Sequence, residues 1–186
     1  MNANIDISDV IIKTERLILR PWRESDLHDF FEYASVPGVG EAAGWSHHET
    51  KEESKTILDM FINEKKTFAI EYNGKAIGSI GIEKYNEEIM PELDDNSGRE
   101  IGFVLSKDHW GKGLMPEAVT AVIEWLFNEI GLDFIVCGHF PNNLRSKKAQ
   151  EKCGFKPYKM SEFKTTWSEV RETCVIILFR KEHYGI

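Results

Sequence analysis

The chain has 186 residues, of which 41% are hydrophobic and 29% charged, the balance expected of one globular domain with a sizeable core. Its 31 acidic and 23 basic residues give a formal charge of -8. This charge argues against a broad nucleic-acid-binding surface, which would be basic, and is compatible with cationic or amine-bearing partners.

The first half of the chain predicts two helices and three strands, within a single domain that we expect to span residues 1–186. Residues 1–13 are expected to form a loose lead-in. Ser25 is predicted to cap the first helix, and Asn73-Gly74 is typical of a two-residue hairpin turn. In chain order, the pattern predicts a strand at 17–22, a helix at 25–34, a turn at 37–40, an irregular segment at 41–49, a helix at 51–64, and strands at 67–72 and 75–84.

The second half begins with a polar, acidic stretch at 83–98, which is either a solvated loop or a segment that steers a cationic acceptor. After it, a long amphipathic helix is predicted to start at Pro116 and to stop at Gly131. In chain order, we expect a strand at 99–105, a glycine loop, the long helix, an apolar strand at 132–140, a short helix at 143–153, and an antiparallel pair of strands at 155–164 and 168–179.

Metal, disulfide and membrane chemistry are not expected. The three cysteines, Cys137, Cys153 and Cys174, are odd in number and form no CxxC pair. The six histidines lack the spacing of metal ligands. The apolar run at 175–179 is too short to span a bilayer, and no signal segment is visible. The sequence therefore predicts a cytoplasmic protein with no metal, no membrane partner and no nucleic-acid partner.

The most informative segment is 110–118, where two glycines lead directly into the long helix. Free backbone amides at a helix start bind anions, and glycines let a phosphate approach them closely. The segment is neither a Walker motif nor GxGxxG, so it is either a phosphate site or only a tight turn. The strand before it and the helix after it favour the phosphate site.

Several segments, taken together and in order, resemble the GCN5-related N-acetyltransferases (the GNAT family), and within it the branch that acetylates ribosomal-protein N-termini. The resemblance covers about residues 14–180. It implies a mixed α/β (α+β) GNAT fold: a twisted, mostly antiparallel sheet of about seven strands with about four helices, and a parallel strand pair that splays apart at the cofactor cleft. The similar segments are 14–20, 77–81, 99–105, 109–113, 143–146 and 151–155.

The resemblance also implies acetyl-CoA as the donor. Backbone groups of residues 103–105 would hold the pantetheine arm and the acetyl carbonyl, and amides of residues 111–115 would hold the pyrophosphate. Asn143 would hydrogen-bond the pantetheine arm, and Ser146 would lie near the sulfur. The predicted cofactor-binding residues are Phe103, Val104, Leu105, Trp110, Gly111, Lys112, Gly113, Leu114, Met115, Asn143 and Ser146.

Catalysis requires a base, because an amine is mostly protonated at neutral pH and must be neutral to attack a thioester. Glu100 is the predicted base; otherwise it is a solvated strand residue or an ion-pair partner of Arg99. Gln150 stands where many family members place a tyrosine that protonates the leaving thiolate, so Ser146 is the predicted acid, or else simply a helix cap. Oxyanion stabilisation is expected from an amide near Val104.

The acceptor is the least explicit part of the sequence. Trp45, His47 and His48 lie in the loop that forms part of the acceptor wall in this family, and with Glu100 they are the predicted acceptor-binding residues; adjacent histidines are more often surface residues. The resemblance implies an N-acetyltransferase acting on the α-amino group of a protein or peptide. Acetylation of a small amine (a polyamine, amino acid or amine antibiotic) and a non-catalytic acyl-CoA-binding module are the alternatives. A homodimer is also a candidate state, since related folds often pair.

Overall fold

The computed structural model describes residues 1–185, in which eight strands form one mixed sheet. The strands are β1 (Ile12–Lys13), β2 (Ile18–Pro21), β3 (Thr67–Tyr72), β4 (Lys75–Glu83), β5 (Gly98–Leu105), β6 (Phe134–His139), β7 (Lys156–Lys164) and β8 (Val170–Phe179). Their order across the sheet is β1-β2-β3-β4-β5-β6-β8-β7. In the described part of the chain, β5 and β6 form the one parallel pair, and all other neighbours are antiparallel.

Helices cover both faces of the sheet. Within residues 1–185 these are α1 (Leu27–Ala34), α2 (Lys51–Glu64), α3 (Leu114–Trp125), α4 (Leu144–Lys152) and α5 (Arg180–Tyr184). Phe30 of α1 and Leu58 of α2 are buried with Val104, whereas Val122 of α3 is buried with Leu105. Because adjacent strand residues point to opposite faces, α1 and α2 lie on one face and α3 on the other. No helix among residues 1–185 is long and apolar enough to cross a membrane.

The parallel pairing of β5 with β6 ends halfway along β5. Their register runs from Gly98 opposite Phe134 to Ile101 opposite Cys137, and it ends there, although β5 continues to Leu105. On its other side β5 stays paired with β4 as far as Leu105. The second half of β5 therefore has one edge without a neighbouring strand, and a V-shaped opening forms between β5 and β6. The expected splay is confirmed.

The mixed α/β fold class is confirmed, with two additions to the predicted elements. The sheet has one strand more than expected because Ile12 and Lys13 pair with Leu19 and Ile18. A further short helix, Arg180–Tyr184, follows the last strand. Both elements are too short to show a hydrophobic period, so periodicity did not indicate them.

The prediction of a loose lead-in is wrong, because the first residues pack against the sheet. Ile5 and Ile7 are buried in the core beneath α3. Asn2 forms a parallel bridge with Gly98 at the start of β5, and Arg99 donates from its Nε to the carbonyl of Ala3 at 2.7 Å. Arg99 is thus held by the lead-in and is not the ion-pair partner of Glu100.

Two predicted helix starts are shifted. Ser25 lies inside a 3₁₀ turn, Glu24–Asp26, and does not cap α1. Asp26 occupies the N-cap position of α1, but its carboxylate makes no hydrogen bond to that helix; it accepts from the backbone N–H of Arg23 at 2.9 Å, which caps the 3₁₀ turn. The long helix α3 begins at Leu114, so Pro116 occupies its third position, where a missing N–H is also tolerated. The earlier start brings two more amides to the helix N-terminus.

Arg20 joins β2, β3 and the start of α1 through buried ion pairs. Its guanidinium makes a bidentate contact with Asp26 at 2.8 and 2.9 Å, and its Nε donates to Glu71 at 2.5 Å. The Arg20 side chain is only 4% exposed. A buried cation is tolerated when it is paired and fully hydrogen-bonded, and here two carboxylates satisfy it. This cluster fixes the position of α1 against β2 and β3.

Asp26→Ala should lower the free energy of unfolding by about 3 kcal/mol, because it leaves the buried Arg20 short of a partner. Urea unfolding followed by circular dichroism measures this change. The control is Asp59→Ala, which breaks an exposed ion pair with Lys55 on α2 and should have a much smaller effect. Equal losses in the two variants would show that the Arg20 cluster is not a stabilising element.

Candidate active site

A cleft of about 430 Å³ occupies the opening between β5 and β6. Its walls are the second half of β5, the glycine loop with the first turn of α3, the end of β6, the first two turns of α4, and the β7–β8 hairpin. The predicted residues that line it are Glu100, Phe103, Val104, Leu105, Trp110, Gly111, Gly113, Leu114, Met115, Asn143 and Ser146. Lys112 lies in the same loop but outside the lining, with its side chain in solvent.

The glycine loop presents a run of free amides. Gly111 and Gly113 both have positive φ, 75° and 77°, a conformation that costs other residues energy. Gly113 is the N-cap of α3 and offers no side chain to the helix start. None of the N–H groups of residues 111–115 donates a hydrogen bond to an acceptor in residues 1–185. Five consecutive free amides at a helix N-terminus form an anion-binding concavity.

Arg16 and Glu117 hold this loop in place. Glu117, in the first turn of α3, accepts from the Nε of Arg16 at 2.7 Å and from the hydroxyl of Thr14 at 2.6 Å. The same arginine donates from Nη1 to the carbonyl of Lys112 at 3.0 Å. Despite its partial burial, the pKa of Glu117 lies below its ordinary value because of these hydrogen bonds. The segment at 14–16, predicted only as the start of a strand, is therefore the support of the loop.

The backbone of β5 alternates between β4 and the cleft. Ser106 donates to the carbonyl of Ile77 on β4 at 2.8 Å, and the register pairs Val104 with Ser79. Since backbone groups alternate along an antiparallel strand, the N–H of Val104 also points to β4. The amides of Phe103 and Leu105 point to the cleft instead. The oxyanion amide expected near Val104 would therefore be that of Phe103 or Leu105, and this role stays a prediction.

Trp110 crosses the mouth of the cleft. Its indole Nε1 donates to the carbonyl of Leu105 at 2.8 Å, which ties the glycine loop to the end of β5. The guanidinium of Arg145 on α4 lies over the indole ring, with its Cζ 3.7 Å from the centroid. This cation–π contact joins the loop to α4 across the cleft.

Glu100 lies at the last paired part of β5, beside the point where the strands separate. Burial raises its pKa to about 7, with a further contribution from Glu83, its cross-strand neighbour on β4. On the same face of β5, a Cβ on Gly102 would meet nothing within 4 Å, so the space beside the carboxylate is open. A half-buried carboxylate next to open space, with a pKa near neutrality, is suited to accept a proton.

Asn143 and Ser146 occupy the start of α4. Asn143 is the N-cap: its Oδ1 accepts from the backbone N–H of Ser146 at 3.1 Å, and its Nδ2 donates to the carbonyl of Ala42 at 3.1 Å. The Asn143 side chain thus bridges the two sides of the cleft and keeps only part of its hydrogen-bonding capacity for a ligand. The hydroxyl of Ser146 has no hydrogen-bond partner within residues 1–185, and Ser146 is not the cap.

Gln150 replaces the family's tyrosine with a structural contact. It is 1% exposed, and its Nε2 donates to the carbonyl of Gly138 at 2.9 Å. Gly138 is the first residue of β6 beyond the pairing with β5, so the glutamine satisfies a carbonyl that the splay leaves open. A carboxamide is far too weak an acid to protonate a thiolate. Nearby, the Nδ1 of His139, which lines the cleft, is buried without a partner among the described residues.

Trp45, His47 and His48 lie outside the cleft lining, which corrects their predicted place. His48 is 5% exposed, and its Nδ1 lies 2.6 Å from the Ser54 hydroxyl in the core beneath α2. His47 pairs with Glu41 at 2.7 Å on the surface. The indole of Trp45 packs over Gly40, where a Cβ would come within 2.3 Å of the ring. These contacts hold the loop in shape, and an acceptor-binding role for its side chains stays a prediction.

The acidic stretch is engaged with other parts of the chain. Glu87 accepts from the backbone of Asn2 at 2.8 Å, and Glu92 pairs with Lys159 at 3.0 Å and with the hydroxyl of Tyr158. Tyr85, Met90 and Leu93 are buried beneath it. The stretch is therefore packed against the rest of the chain. Of the five carboxylates proposed to steer a cationic acceptor, Glu87 and Glu92 are engaged within the chain; the other three are Glu88, Asp94 and Asp95.

The acceptor side of the cleft is mostly apolar and comes from residues that the sequence did not indicate. Thr173 and Val175 of β8 and Phe163 of β7 line it together with Ala43. A Cβ on Gly138 would lie 3.2 Å from the Thr173 hydroxyl and 4.0 Å from Oε1 of Glu100, so only a glycine leaves this space clear. Alternation along β8 places Thr173 and Val175 on one face. Which face points to the cleft depends on the pairing with β6, which the sequence does not reveal.

A family comparison agrees with this geometry. Residues 16–156 match the family model described as an acetyltransferase (GNAT) domain. The chain belongs to the GNAT acetyltransferase family. An uncharacterized N-acetyltransferase, p20 of Bacillus licheniformis, is 26% identical over 179 residues, which cover 92% of this chain and 97% of that protein.

Solved structures share the GNAT fold. A GNAT-family acetyltransferase from Bacillus anthracis superimposes with a TM-score of 0.76 at 24% identity, covering 91% of this chain and 98% of that one. The ribosomal-protein-S5-alanine acetyltransferase of Vibrio fischeri gives 0.71 at 19% identity, with coverages of 94% and 98%. RimJ of Mycobacterium smegmatis, in complex with CoA-disulfide, gives 0.68 at 17%, with coverages of 89% and 83%.

The predicted family and fold are therefore confirmed, and this GNAT protein is an N-acetyltransferase with a fold of the kind that binds acetyl-CoA. The cleft fits that donor because it contains backbone groups that make no hydrogen bonds within the described chain. Five free amides would face a pyrophosphate, and the unpaired edge of β5 would face the amides of a pantetheine arm. No group of three or more potential metal ligands occurs among residues 1–185.

Gly111→Ala should weaken coenzyme A binding at least about tenfold, because an alanine at φ 75° strains the loop that aims the amides. The matched control is Gly131→Ala, at the end of the π-helical turn Leu126–Ile130 that continues α3. Both glycines have positive φ, and a Cβ on either would meet nothing within 4 Å. Both variants should lose about 1 kcal/mol of stability, yet only the first should lose affinity by calorimetry. Equal affinity losses would rule out a specific role for the loop.

Glu100→Gln should stabilise the protein at high pH and leave its stability almost unchanged at low pH. Because the pKa is raised in the folded state, Glu100 favours folding while protonated and loses that contribution as the pH rises through about 7. A rise from 4.5 to about 7 corresponds to about 3 kcal/mol at 1.36 kcal/mol per unit. Urea unfolding at pH 5 and pH 8.5 measures the difference. Glu172→Gln, an exposed carboxylate on β8, is the control and should show no such pH dependence.

Proposed function

We propose that this GNAT protein transfers an acetyl group from acetyl-CoA to the α-amino group of a protein or peptide, with Glu100 as the general base. The observation that carries the proposal is the position of Glu100 in the lining of the cleft, where burial raises the pKa of its carboxyl to about 7. This carboxylate lies where the strands separate and beside open space over Gly102. The structures of ribosomal-protein acetyltransferases among its fold neighbours support an acceptor of this class.

An α-amino group gives up its proton more easily than an alkyl amine, whatever base accepts it. Moving a proton from an α-amino group, with a pKa of about 7.7, to a carboxylate with a pKa of about 7 costs about 1 kcal/mol. The same transfer from an alkyl amine, with a pKa of about 10.4, costs about 5 kcal/mol at 1.36 kcal/mol per unit. The difference of about 4 kcal/mol comes from the two amines, so a peptide N-terminus needs less help from Glu100 than a polyamine or a lysine side chain does.

The remaining groups have defined positions for the reaction. Acetyl-CoA supplies an acyl group activated as a thioester. The free amides of Phe103 and Leu105 are the candidates to donate to the thioester oxygen, where negative charge develops. The unpartnered hydroxyl of Ser146 is the proposed proton donor to the departing sulfur, since Gln150 is committed to β6. The amides of residues 111–115 would hold the pyrophosphate.

A small monoamine is the second candidate acceptor, and one observation favours it. The two walls of the acceptor side are joined by hydrogen bonds, from the N–H of Thr166 to the carbonyl of Gly44 and from the N–H of Ser46 to the Thr166 hydroxyl, each 3.0 Å. This bridge narrows the opening. A polyamine is a poor fit, because Glu100 is the one carboxylate among the lining residues of the cleft in the described chain.

The cytoplasmic location and the homodimer stay predictions.

Wild-type kcat/KM for a peptide acceptor should rise with pH through an apparent pKa near 7, as Glu100 ionises. Glu100→Gln should lower kcat/KM about 100-fold or more at pH 7, and the loss should shrink as rising pH neutralises the amine. Release of the CoA thiol, with peptides and small amines as parallel acceptors, is the measurement.

Glu172→Gln is the matched control for this experiment and should keep the wild-type profile. An unchanged pH profile in Glu100→Gln would remove Glu100 from the mechanism. Thiol release with small amines alone would favour the second candidate. If no amine promotes thiol release while coenzyme A binds, the protein is an acyl-CoA-binding module and the proposal fails.

A further inference from the structure

A second cavity, of about 470 Å³, adjoins the acceptor side of the cleft. Ala42, Phe140, Asn143 and Arg145 line both cavities, so the two are adjacent. The second cavity also contains Arg171, from the first part of β8. No step of the proposed acetyl transfer uses either arginine. Two guanidinium groups in one cavity next to an acceptor site require an explanation.

Both arginines are held in position and neither is neutralised. The Cζ of Arg145 lies 3.7 Å from the centroid of Trp110, and the Cζ of Arg171 lies 4.1 Å from the centroid of Phe140. Within residues 1–185, neither forms an ion pair with a carboxylate, although the chain has 31 acidic residues. Stacked guanidinium groups lose little entropy when they bind, and their planar forks suit a carboxylate.

Glu41 is the one carboxylate in the lining of this cavity, and its hydrogen bonds are made elsewhere. Its Oε1 lies 2.7 Å from Nδ1 of His47, and its Oε2 accepts from the backbone N–H of Gly38 at 2.6 Å. These hydrogen bonds keep the pKa of Glu41 at about 2, against the opposing effect of burial. Glu41 is therefore already satisfied by its own loop, and the two arginines remain available for a ligand.

The distance from the base limits which anion can reach the arginines. Arg171 and Thr173 lie on the same face of β8, two residues apart, which is roughly 7 Å along a strand. The hydroxyl of Thr173 lies near Glu100, since both approach the Cβ position of Gly138, at 3.2 and 4.0 Å. An acceptor whose amine reaches Glu100 must therefore extend past Thr173 before it meets Arg171. The carboxylate of an α-amino acid, two bonds from its amine, is too close to do so.

We infer that the cavity of Arg145 and Arg171 is an anion subsite for the acceptor, which binds a carboxylate on the second or third residue of a peptide whose α-amino group lies at Glu100. The inference rests on the proposed function and narrows it to peptides with an acidic group near the N-terminus. The carboxylate belongs to an acidic side chain or to the C-terminus of a very short peptide. Both sources present the same fork of two oxygens to the guanidinium groups.

Three acceptors test the subsite by thiol release with wild-type protein. The first two are the amidated tetrapeptides Ala-Glu-Ala-Ala and Ala-Gln-Ala-Ala, which differ in one carboxylate. The third is the free dipeptide Ala-Ala, whose only carboxylate is C-terminal. The expected result is a kcat/KM at least about tenfold higher for the Glu than for the Gln peptide, mainly through KM. A high kcat/KM for Ala-Ala as well would show that a C-terminal carboxylate also serves.

Arg171→Gln should bring the ratio of the Glu peptide to the Gln peptide close to one, and Arg171→Lys should restore part of it. Arg180→Gln, which removes the same charge just beyond β8, is the matched control and should keep the wild-type ratio. Calorimetry with coenzyme A separates the donor from the acceptor. A tenfold loss of coenzyme A affinity in Arg171→Gln would assign the arginine to the donor and overturn the inference.

The subsite and the proposed function fail in different ways. Equal kcat/KM values for the Glu and Gln peptides in wild-type protein would overturn the subsite and leave peptide acetylation standing. Acetylation of small amines with no turnover of any peptide would overturn both. A ratio that survives in Arg171→Gln would show that another group reads the carboxylate, and the inference would again be wrong.

Discussion

The separation of β5 from β6 after Ile101 and Cys137 is the constraint on which the whole site depends. A strand buried in a sheet normally has both of its edges hydrogen-bonded, and an unpaired edge in the interior costs free energy. Here β5 keeps its pairing with β4, so the amides beyond Ile101 that point the other way are left for a ligand. On the β6 side, the Gln150 amide satisfies Gly138 and holds the opening in place. The cleft is thus a gap in the sheet that the surrounding side chains maintain.

The glycine loop shows how a distant segment makes such a gap useful. Free amides bind an anion well only if they are already aimed at it, because ordering a flexible loop on binding would cost conformational entropy. Arg16, about a hundred residues earlier in the chain, binds both Glu117 and the carbonyl of Lys112. These contacts are partly exposed, so salt and water weaken their net contribution to stability. Their effect is mainly geometric: they fix the loop relative to the first turn of α3.

Local signals predicted the donor side well and the acceptor side poorly. The glycine loop, the strand before it and the helix after it are encoded by neighbouring residues, so local patterns in 99–131 predict all three elements. His48 was misplaced because burial beside Ser54 and Phe30 depends on how α2 packs, which no local pattern reveals. Arg171 was missed because an alternating strand does not show which face meets the cleft. Ser25 has the residue type of a helix cap, but Asp26, which is held by Arg20, occupies the N-cap position of α1.

Three arginines illustrate the difference between a structural and a functional charge in this molecule. Arg20 is almost fully buried and contacts two carboxylates, as a cation removed from water requires. Arg145 and Arg171 lie in a cavity, are stacked on aromatic rings and have no carboxylate partner in the described chain. The same contrast holds for carboxylates, since Asp26 is paired whereas Glu100 faces its like-charged neighbour Glu83. Groups that serve folding are satisfied within the chain. The groups around the cleft are left unsatisfied, with the proposed base on one side and two arginines unpaired within the described chain on the other, and under the proposed function a ligand with an amine and an acid would complete them.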